Sequence, residues 1–347
     1  MNLVSGIQQV GIGVNNVDET FTWLRQTFGI NARIFDDEAQ AALMKSYTGN
    51  EVHSRRAILA MNMNGGGGAE IWQFTSRKGM PAPSQVRWGD LGINAIKMKS
   101  NDVEKSHQHI LVKGKSAVCK TPDNTYTFFV SDSHLNQFQI VSDNSWFKQN
   151  KFMQGGVCGA IIGVSNMETS VAFYQKAFGI NEVVYDVNGC FNDLGDGYLQ
   201  SNFRRVLLKL NNDFKAPFSK LLGNIYIELI QALDYTPVKI YENRYWGDLG
   251  FIHLCFDVPN MNALKTAIEK NGFHFTVDSG QTFDMGDSGG RFSYIEDPDG
   301  TLIEMVETHK VPVFKKWGIY FNLKKRKRQK PLPNWMVGLL GLNKIKS

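Results

Sequence analysis

Three short apolar runs in the second half of the chain each carry one residue able to bind a metal or move a proton. Glu228 stands in Tyr226-Ile227-Glu228-Leu229-Ile230, Glu304 in Leu302-Ile303-Glu304-Met305-Val306, and His253 between Ile252 and Leu254. Burying an unpaired carboxylate among such neighbours costs on the order of several kcal/mol or forces it to protonate, so the two glutamates need a partner. A divalent ion supplies one. His253 alone reads as a core histidine satisfied by one backbone carbonyl; together with both glutamates it reads as a third ligand. One imidazole and two carboxylates form an oxygen-rich, borderline-hard set suited to Fe, Mn, Co, Ni, Zn or Mg. The bland alternative is a decayed site whose three polar groups bond to one another or to water.

The elements that must position these residues are organised by a repeat. GVNNVDETFTWLRQTFGIN from Gly13 and GVSNMETSVAFYQKAFGIN from Gly163 match at an offset of 150; RWGDLG from Arg87 and YWGDLG from Tyr245 match at 158; VSDSHLNQFQIV from Val130 and IEDPDGTLIEMV from Ile295 match at 165. Three segments in one order, with an offset that grows as loops lengthen, signify duplication. Each half is doubled again, with a strand, a helix and further strands restarting after WGDLG. Phe21, Leu24 and Phe28 fall on one helix face, as do Val171, Tyr174 and Phe178, and read as core packing. Helices over 103–113 and 261–271 are expected to end at Gly114 and Gly272. Strands are expected at 273–277, 291–296 and 301–307, with a hairpin at Asp299-Gly300.

Length and composition agree with two globular domains. At 347 residues a single core would be unusual, and 42% hydrophobic with 20% charged residues is no disordered composition. No apolar stretch approaches the roughly 20 residues of a membrane span, and the start lacks a basic then apolar leader, so the expectation is a cytoplasmic protein. The four cysteines are widely separated and read as reduced thiols. The net charge of +5 is local: Lys310 to Ser347 holds eleven Lys or Arg and no acid, leaving 27 basic against 33 acidic residues in the body. An acidic body argues against nucleic acid as a partner.

The strand, helix, three-strand unit, repeated four times, resembles the βαβββ module of the vicinal oxygen chelate superfamily, which includes glyoxalases, extradiol dioxygenases and bleomycin resistance proteins. GVSNMETSVAFYQKAFGI, the IELIQ and FIHLCFDV strands and IEDPDGTLIEMVE carry the likeness. It implies an α+β fold of four βαβββ modules paired into two tandem glyoxalase-like domains, 1–150 and 151–309, followed by a basic tail, 310–347. In that family a metal is held by inward-facing residues on the first and last strands of each module. The matching positions are Gly159, Glu228, His253 and Glu304 in the second half, and Gln9, Glu70, Ala95 and Gln139 in the first. The resemblance thus implies a metal-free first domain and a second domain holding one divalent metal on Glu228, His253 and Glu304. The function it implies is a glyoxalase-type lyase or isomerase. Its small substrate would offer two oxygens and react through a metal-bound enediolate, with Glu228 or Glu304 as base. Two alternatives stand beside it: a non-catalytic small-molecule binder, and an extradiol-type dioxygenase, which Gly159 disfavours by standing where a first histidine would.

Other signals carry less. Cys158 neighbours Gly159 on a strand and is expected to face away from the cleft. His107 and His109 cannot converge from one helix face, and His134 lies in an exposed turn. Gly65 to Gly68 lacks a phosphate-loop ending and reads as a flexible hairpin. Trp88 and Trp246 of the WGDLG repeats read as packing or module-joining residues rather than stacking platforms. In the tail, a basic run from Lys324 to Lys330 precedes an apolar segment, Trp335 to Leu342. Residues 324–347 therefore offer a peripheral membrane or acidic-partner contact, the alternative being a solvated extension or one strapped across the body.

Overall fold

The structure, a computed structural model, describes residues 3–148, 153–211, 216–280, 283–285, 288–314, 318–323 and 330–345. Four modules follow one another. The first is β1 (Ile7–Gly13), α1 (Val17–Phe28), β2 (Ala32–Gln40), β3 (Ser54–Met61) and β4 (Gly68–Phe74). The second is β5 (Gly92–Ser100), α2 (Val103–His109), β6 (Cys119–Lys120), β7 (Tyr126–Ser131) and β8 (Gln137–Ser142). The third is β9 (Gln154–Gly163), α3 (Met167–Phe178), β10 (Glu182–Gly189), β11 (Phe203–Leu210) and β12 (Ile225–Ala232), with the short α4 (Ser219–Leu222) before its last strand. The fourth is β13 (Gly250–Asp257), α5 (Met261–Lys270), β14 (Val277–Asp278), β15 (Phe283–Met285), β16 (Ser288–Glu296) and β17 (Leu302–Phe314), to which β18 (Ile319–Asn322) adds.

The repeated residues have local reasons. Asn16 caps α1 by accepting from the backbone N–H of Asp18 and Glu19, and Asn166 caps α3 by accepting from Thr169. Gly29 and Gly179 close those helices at φ 66° and 72°. α5 is followed by Gly272 at φ 81° as expected. α2 stops short of expectation, at His109 rather than beside Gly114, because Ile110 is extended and the Lys115 ammonium donates to the free carbonyls of His107 and Ile110. The strand expected at 273–277 shrinks to β14, whereas β16 and β17 form the expected hairpin. Gly65 to Gly68 does connect β3 to β4, yet it is buried and bonded to Leu221 and Val157, so this hairpin is held rather than free.

Sheet pairing departs from the division into halves. One sheet runs β14-β16-β17-β13-β1-β4-β3-β2, with β15 and β18 at its side, and the other runs β10-β11-β12-β9-β5-β8-β7-β6. The first therefore joins modules one and four, the second modules two and three. The joints are antiparallel ladders, β1 on β13 and β5 on β9. Neither 1–150 nor 151–309 owns a complete sheet. A large core of buried aliphatic and aromatic side chains, including Leu24, Phe28, Phe173, Phe178 and Phe256, packs the helices against both sheets.

The described tail lies on the body. Leu332 donates its N–H to Pro217, α6 (Asn334–Gly338) buries Val337, Leu340 is buried in the turn after it, and Ile345 donates to Asn31. Trp335 and Leu342 stay exposed. Of the basic run, residues 324–329 lie outside the described residues. No helix among the described residues is long and apolar enough to cross a membrane.

Candidate metal centre

The joint between β1 and β13 brings two residues from each half to one point. β1 lies between β4 and β13, so Gly11 faces Glu70 on one side and His253 on the other. β17 lies beyond β13 and sets Glu304 against Cys255. His253 Nε2 is 3.0 Å from Glu304 Oε2 and 3.5 Å from Glu70 Oε2, and the ligand atoms of the three residues all lie within 4.8 Å of one another. Gln9 completes the group, its Nε2 donating to Glu70 Oε2 at 3.1 Å and to Glu304 Oε2 at 3.4 Å. The imidazole is fully buried, between Trp246, which it stacks on at an interplanar angle of 8°, and Tyr294, whose hydroxyl is 3.4 Å from Nδ1. Burial disfavours its cation, but Glu304 and Glu70 outweigh that and push His253 up to about 9.

These residues fit a divalent ion. Gln9 Oε1 is buried without a hydrogen-bond partner, and His253 Nε2 is paired with the two carboxylates by charge rather than by a well-aimed hydrogen bond. Two carboxylates crowd together with one imidazole. An ion would take all of these lone pairs at once and balance the negative charge. Gly11 is required for the arrangement, since a Cβ there would stand 2.3 Å from His253 Cε1.

Glu228 is not part of this centre. The expected trio of Glu228, His253 and Glu304 is divided, because β12 belongs to the other sheet, and Glu70 takes the place that Glu228 was expected to fill. Glu228 stands at the equivalent joint of the second sheet, beside β9 and β5. There its Oε2 accepts from the Lys97 ammonium at 2.6 Å and its Oε1 from Arg205 Nε at 2.7 Å, while Arg205 also forks onto Asp193 at 2.7 and 2.8 Å. Lys97 also donates to Gln139. The ammonium thus lies between the two residues, Gln139 and Glu228, that correspond to Glu304 and Glu70. Burial would raise the Glu228 carboxyl, but Arg205 and Lys97 hold it down to about 2.

The rest of the second joint has exchanged sizes. Where the first has Gly11 against His253, the second has Ile161 against Ala95, both buried. Gly159 faces Lys97, and the lysine stem passes 3.0 Å from where a Cβ of residue 159 would be. A ligand position has become packing. Sequence reasoning missed Gln9 and Glu70 as site residues, and missed Lys97 and Arg205 altogether. The usable signal was complementarity: Gln9 and Glu70 with His253 and Glu304 make a full set, whereas Ala95 and Gly159 leave the other joint short.

Above the first centre lies a cavity of about 200 Å³. Gln9, Glu70 and Glu304 are on its floor, Phe35, Leu59 and Trp72 on its walls, and Phe218, Leu222 and Leu340 come over it from α4 and the tail. Trp246 lines it, whereas Trp88 packs in the other half and donates to Leu194. The four cysteines are free thiols; Cys158 is buried, and desolvation pushes it up to about 12.

Comparison with known proteins agrees with this architecture. Residues 160–294 match the model of the Glyoxalase/Bleomycin resistance protein/Dioxygenase superfamily. Glyoxalase I from Zea mays is similar over 87% of this chain and 92% of its own, at 14% identity and a TM-score of 0.51. A Bacillus subtilis protein thought to be a dioxygenase is similar over 88% and 86%, at 14% identity and a TM-score of 0.55. At such identity these likenesses establish the fold alone. No curated protein matches the sequence.

Proposed function

We propose that the chain is a metal-dependent lyase or isomerase of the glyoxalase type, acting on a small oxygen-bearing substrate at Gln9, Glu70, His253 and Glu304. The observation that carries this reading is the convergence of these four buried residues, three of which, Gln9, Glu70 and Glu304, line a cavity. A bound divalent ion would supply Lewis-acid polarisation of a substrate carbonyl and offset the negative charge that grows as a neighbouring proton leaves. The protein's own part is acid–base chemistry. Glu70 or Glu304 takes the proton from a hydroxyl-bearing carbon next to the carbonyl and returns it to the former carbonyl carbon, while the hydroxyl proton passes to the former carbonyl oxygen, so the net change is an isomerisation with no redox partner. His253, held between Trp246 and Tyr294, keeps its ring orientation through the cycle. Apolar walls exclude water from the charged form of the substrate.

Elemental analysis of protein purified without added metal tests the reading. We expect stoichiometric metal in the parent and in Glu228→Ala, and little in Glu70→Ala or Glu304→Ala. No metal in the parent would sink it and favour a binding protein, a second reading supported by the mostly apolar lining of the cavity. Metal lost from Glu228→Ala alone would move the centre to the other sheet.

A further inference from the structure

A second cavity, of about 360 Å³, shares no lining residue with the one above the metal centre. It opens to solvent between the two WGDLG segments and the turn that joins β7 to β8. Ile93 and Phe251, which match at the offset of 158, both line it, as do Trp88 and Leu249. Each half of the chain thus supplies part of an apolar floor whose four side chains are at most 8% exposed. The space exceeds the roughly 150 Å³ of an apolar cavity that takes up benzene, so one ring and a polar group fit together.

The charges around this cavity are one-sided. Arg87 and Arg244 line it, and among the described residues no Asp or Glu does. Arg87 is partly balanced, with Asp90 at 3.6 Å and the Tyr235 ring at 4.4 Å. Arg244 makes no ion pair among the described residues. Its Nη1 donates to the Ile240 carbonyl at 3.0 Å and its Nη2 to those of Met80, at 2.8 Å, and Leu249, while its Nε is buried without a partner. Carbonyls orient a guanidinium without cancelling its charge. The acids nearest in sequence are engaged elsewhere: Asp90 accepts from the backbone of Arg87 and Val238, Asp132 from that of His134 and Asn136, and Asp248 from that of Met80 and Tyr245 and from Arg77. Glu242 is exposed. The charge of Arg244 is left over beside an apolar floor.

The rim also departs from its repeat. At the matching turn of the fourth module, Asp299 accepts from the backbone N–H and the hydroxyl of Ser165, and Gly300 takes a φ of 90°. Here His134 and Leu135 stand at those positions. The His134 ring meets only the neighbouring Ser133 hydroxyl, at 3.3 Å, and Leu135 holds a φ of 65°, a left-handed conformation that costs a residue with a Cβ free energy. A turn tied down in one module is thus left open, and strained, over the cavity in the other.

We propose that this cavity is a second binding site, for a small monovalent carboxylate with an aromatic body. The carboxylate is held by the guanidinium groups of Arg244 and Arg87, through charge-assisted hydrogen bonds of the kind that make arginine the usual partner of carboxylates. The ring lies against Ile93 and Phe251. One uncompensated positive charge matches a monoanion; a phosphate dianion would bring a negative charge that nothing in the lining balances. The site is independent of the reading given for the metal centre.

Calorimetric titration of the full chain with phenylacetate, phenylacetamide and phenyl phosphate tests this. Phenylacetate is expected to bind with a Kd of about 1 mM or tighter, the neutral amide at least about tenfold more weakly, and phenyl phosphate no more tightly than phenylacetate. Arg87→Met should weaken phenylacetate at least about threefold, and Arg244→Met should abolish its binding. Because Arg244 also ties the carbonyls of Met80 and Leu249, a second variant guards against a disturbed loop. Ala82→Trp, at a half-buried lining position, fills the cavity without removing either arginine and should abolish binding as well. Glu70→Ala should bind phenylacetate as the parent does, which separates this site from the metal centre. No binding of phenylacetate at about 10 mM, equal binding of acid and amide, tighter binding of phenyl phosphate, binding that survives Ala82→Trp, or binding lost in Glu70→Ala overturns the proposal.

Discussion

Replacing Lys97 with methionine removes one charge from a closed and neutral set. Lys97 and Arg205 face Glu228 and Asp193, all with side chains at most 4% exposed. At the 2.6 Å separation of Lys97 and Glu228, the attraction is about 6 kcal/mol for an effective dielectric of about 20. Desolvation cancels part of it, and Glu228 keeps Arg205, so the expected loss is the roughly 3–5 kcal/mol typical of a broken buried pair. Glu228→Gln should cost a similar amount, because it leaves one surplus positive charge in place of one surplus negative charge. The double variant restores neutrality and should recover at least about 2 kcal/mol of the summed losses. Urea denaturation, read as a midpoint shift at unchanged slope, measures all three. Metal content should stay the same throughout, since this cluster belongs to the other sheet. A Lys97→Met variant within about 1 kcal/mol of the parent, or losses that simply add, would refute a charge-balanced core.

Gly11→Ala should keep the fold but displace the His253 ring, whose Cε1 lies 2.3 Å from the new Cβ; metal titration is expected to show at least about a tenfold weaker affinity, and unchanged affinity would remove the close-packing argument. Asp297 is raised to about 6 by burial, against hydrogen bonds from Tyr174, Asp299 and Thr301. A raised acid favours the folded state when protonated, so its contribution is complete below pH 3.8 and is lost as pH rises through about 6. Parent stability relative to Asp297→Asn should therefore fall across that window, and parallel curves would contradict the assignment.

Much of the architecture was legible in residues that act locally. Asn16 and Asn166 as caps, Gly29 and Gly179 as left-handed stops, and the β16–β17 turn depend on near neighbours, so sequence alone identified the duplicated modules and their order. That His253 and Glu304 would be brought to partners was readable for a related reason: polar groups inside apolar strands need one. Which partner was beyond local reading. Glu70 and Glu228 stand in nearly identical strands, Ala69-Glu70-Ile71 and Ile227-Glu228-Leu229. Only the pairing of β1 with β13 and of β5 with β9 sends one to a histidine and the other to a lysine. A repeat fixes the form of each module but not which modules share a sheet, because that choice is made by long-range edge ladders and by how Gly11 against His253, or Ile161 against Ala95, fills the space between strands.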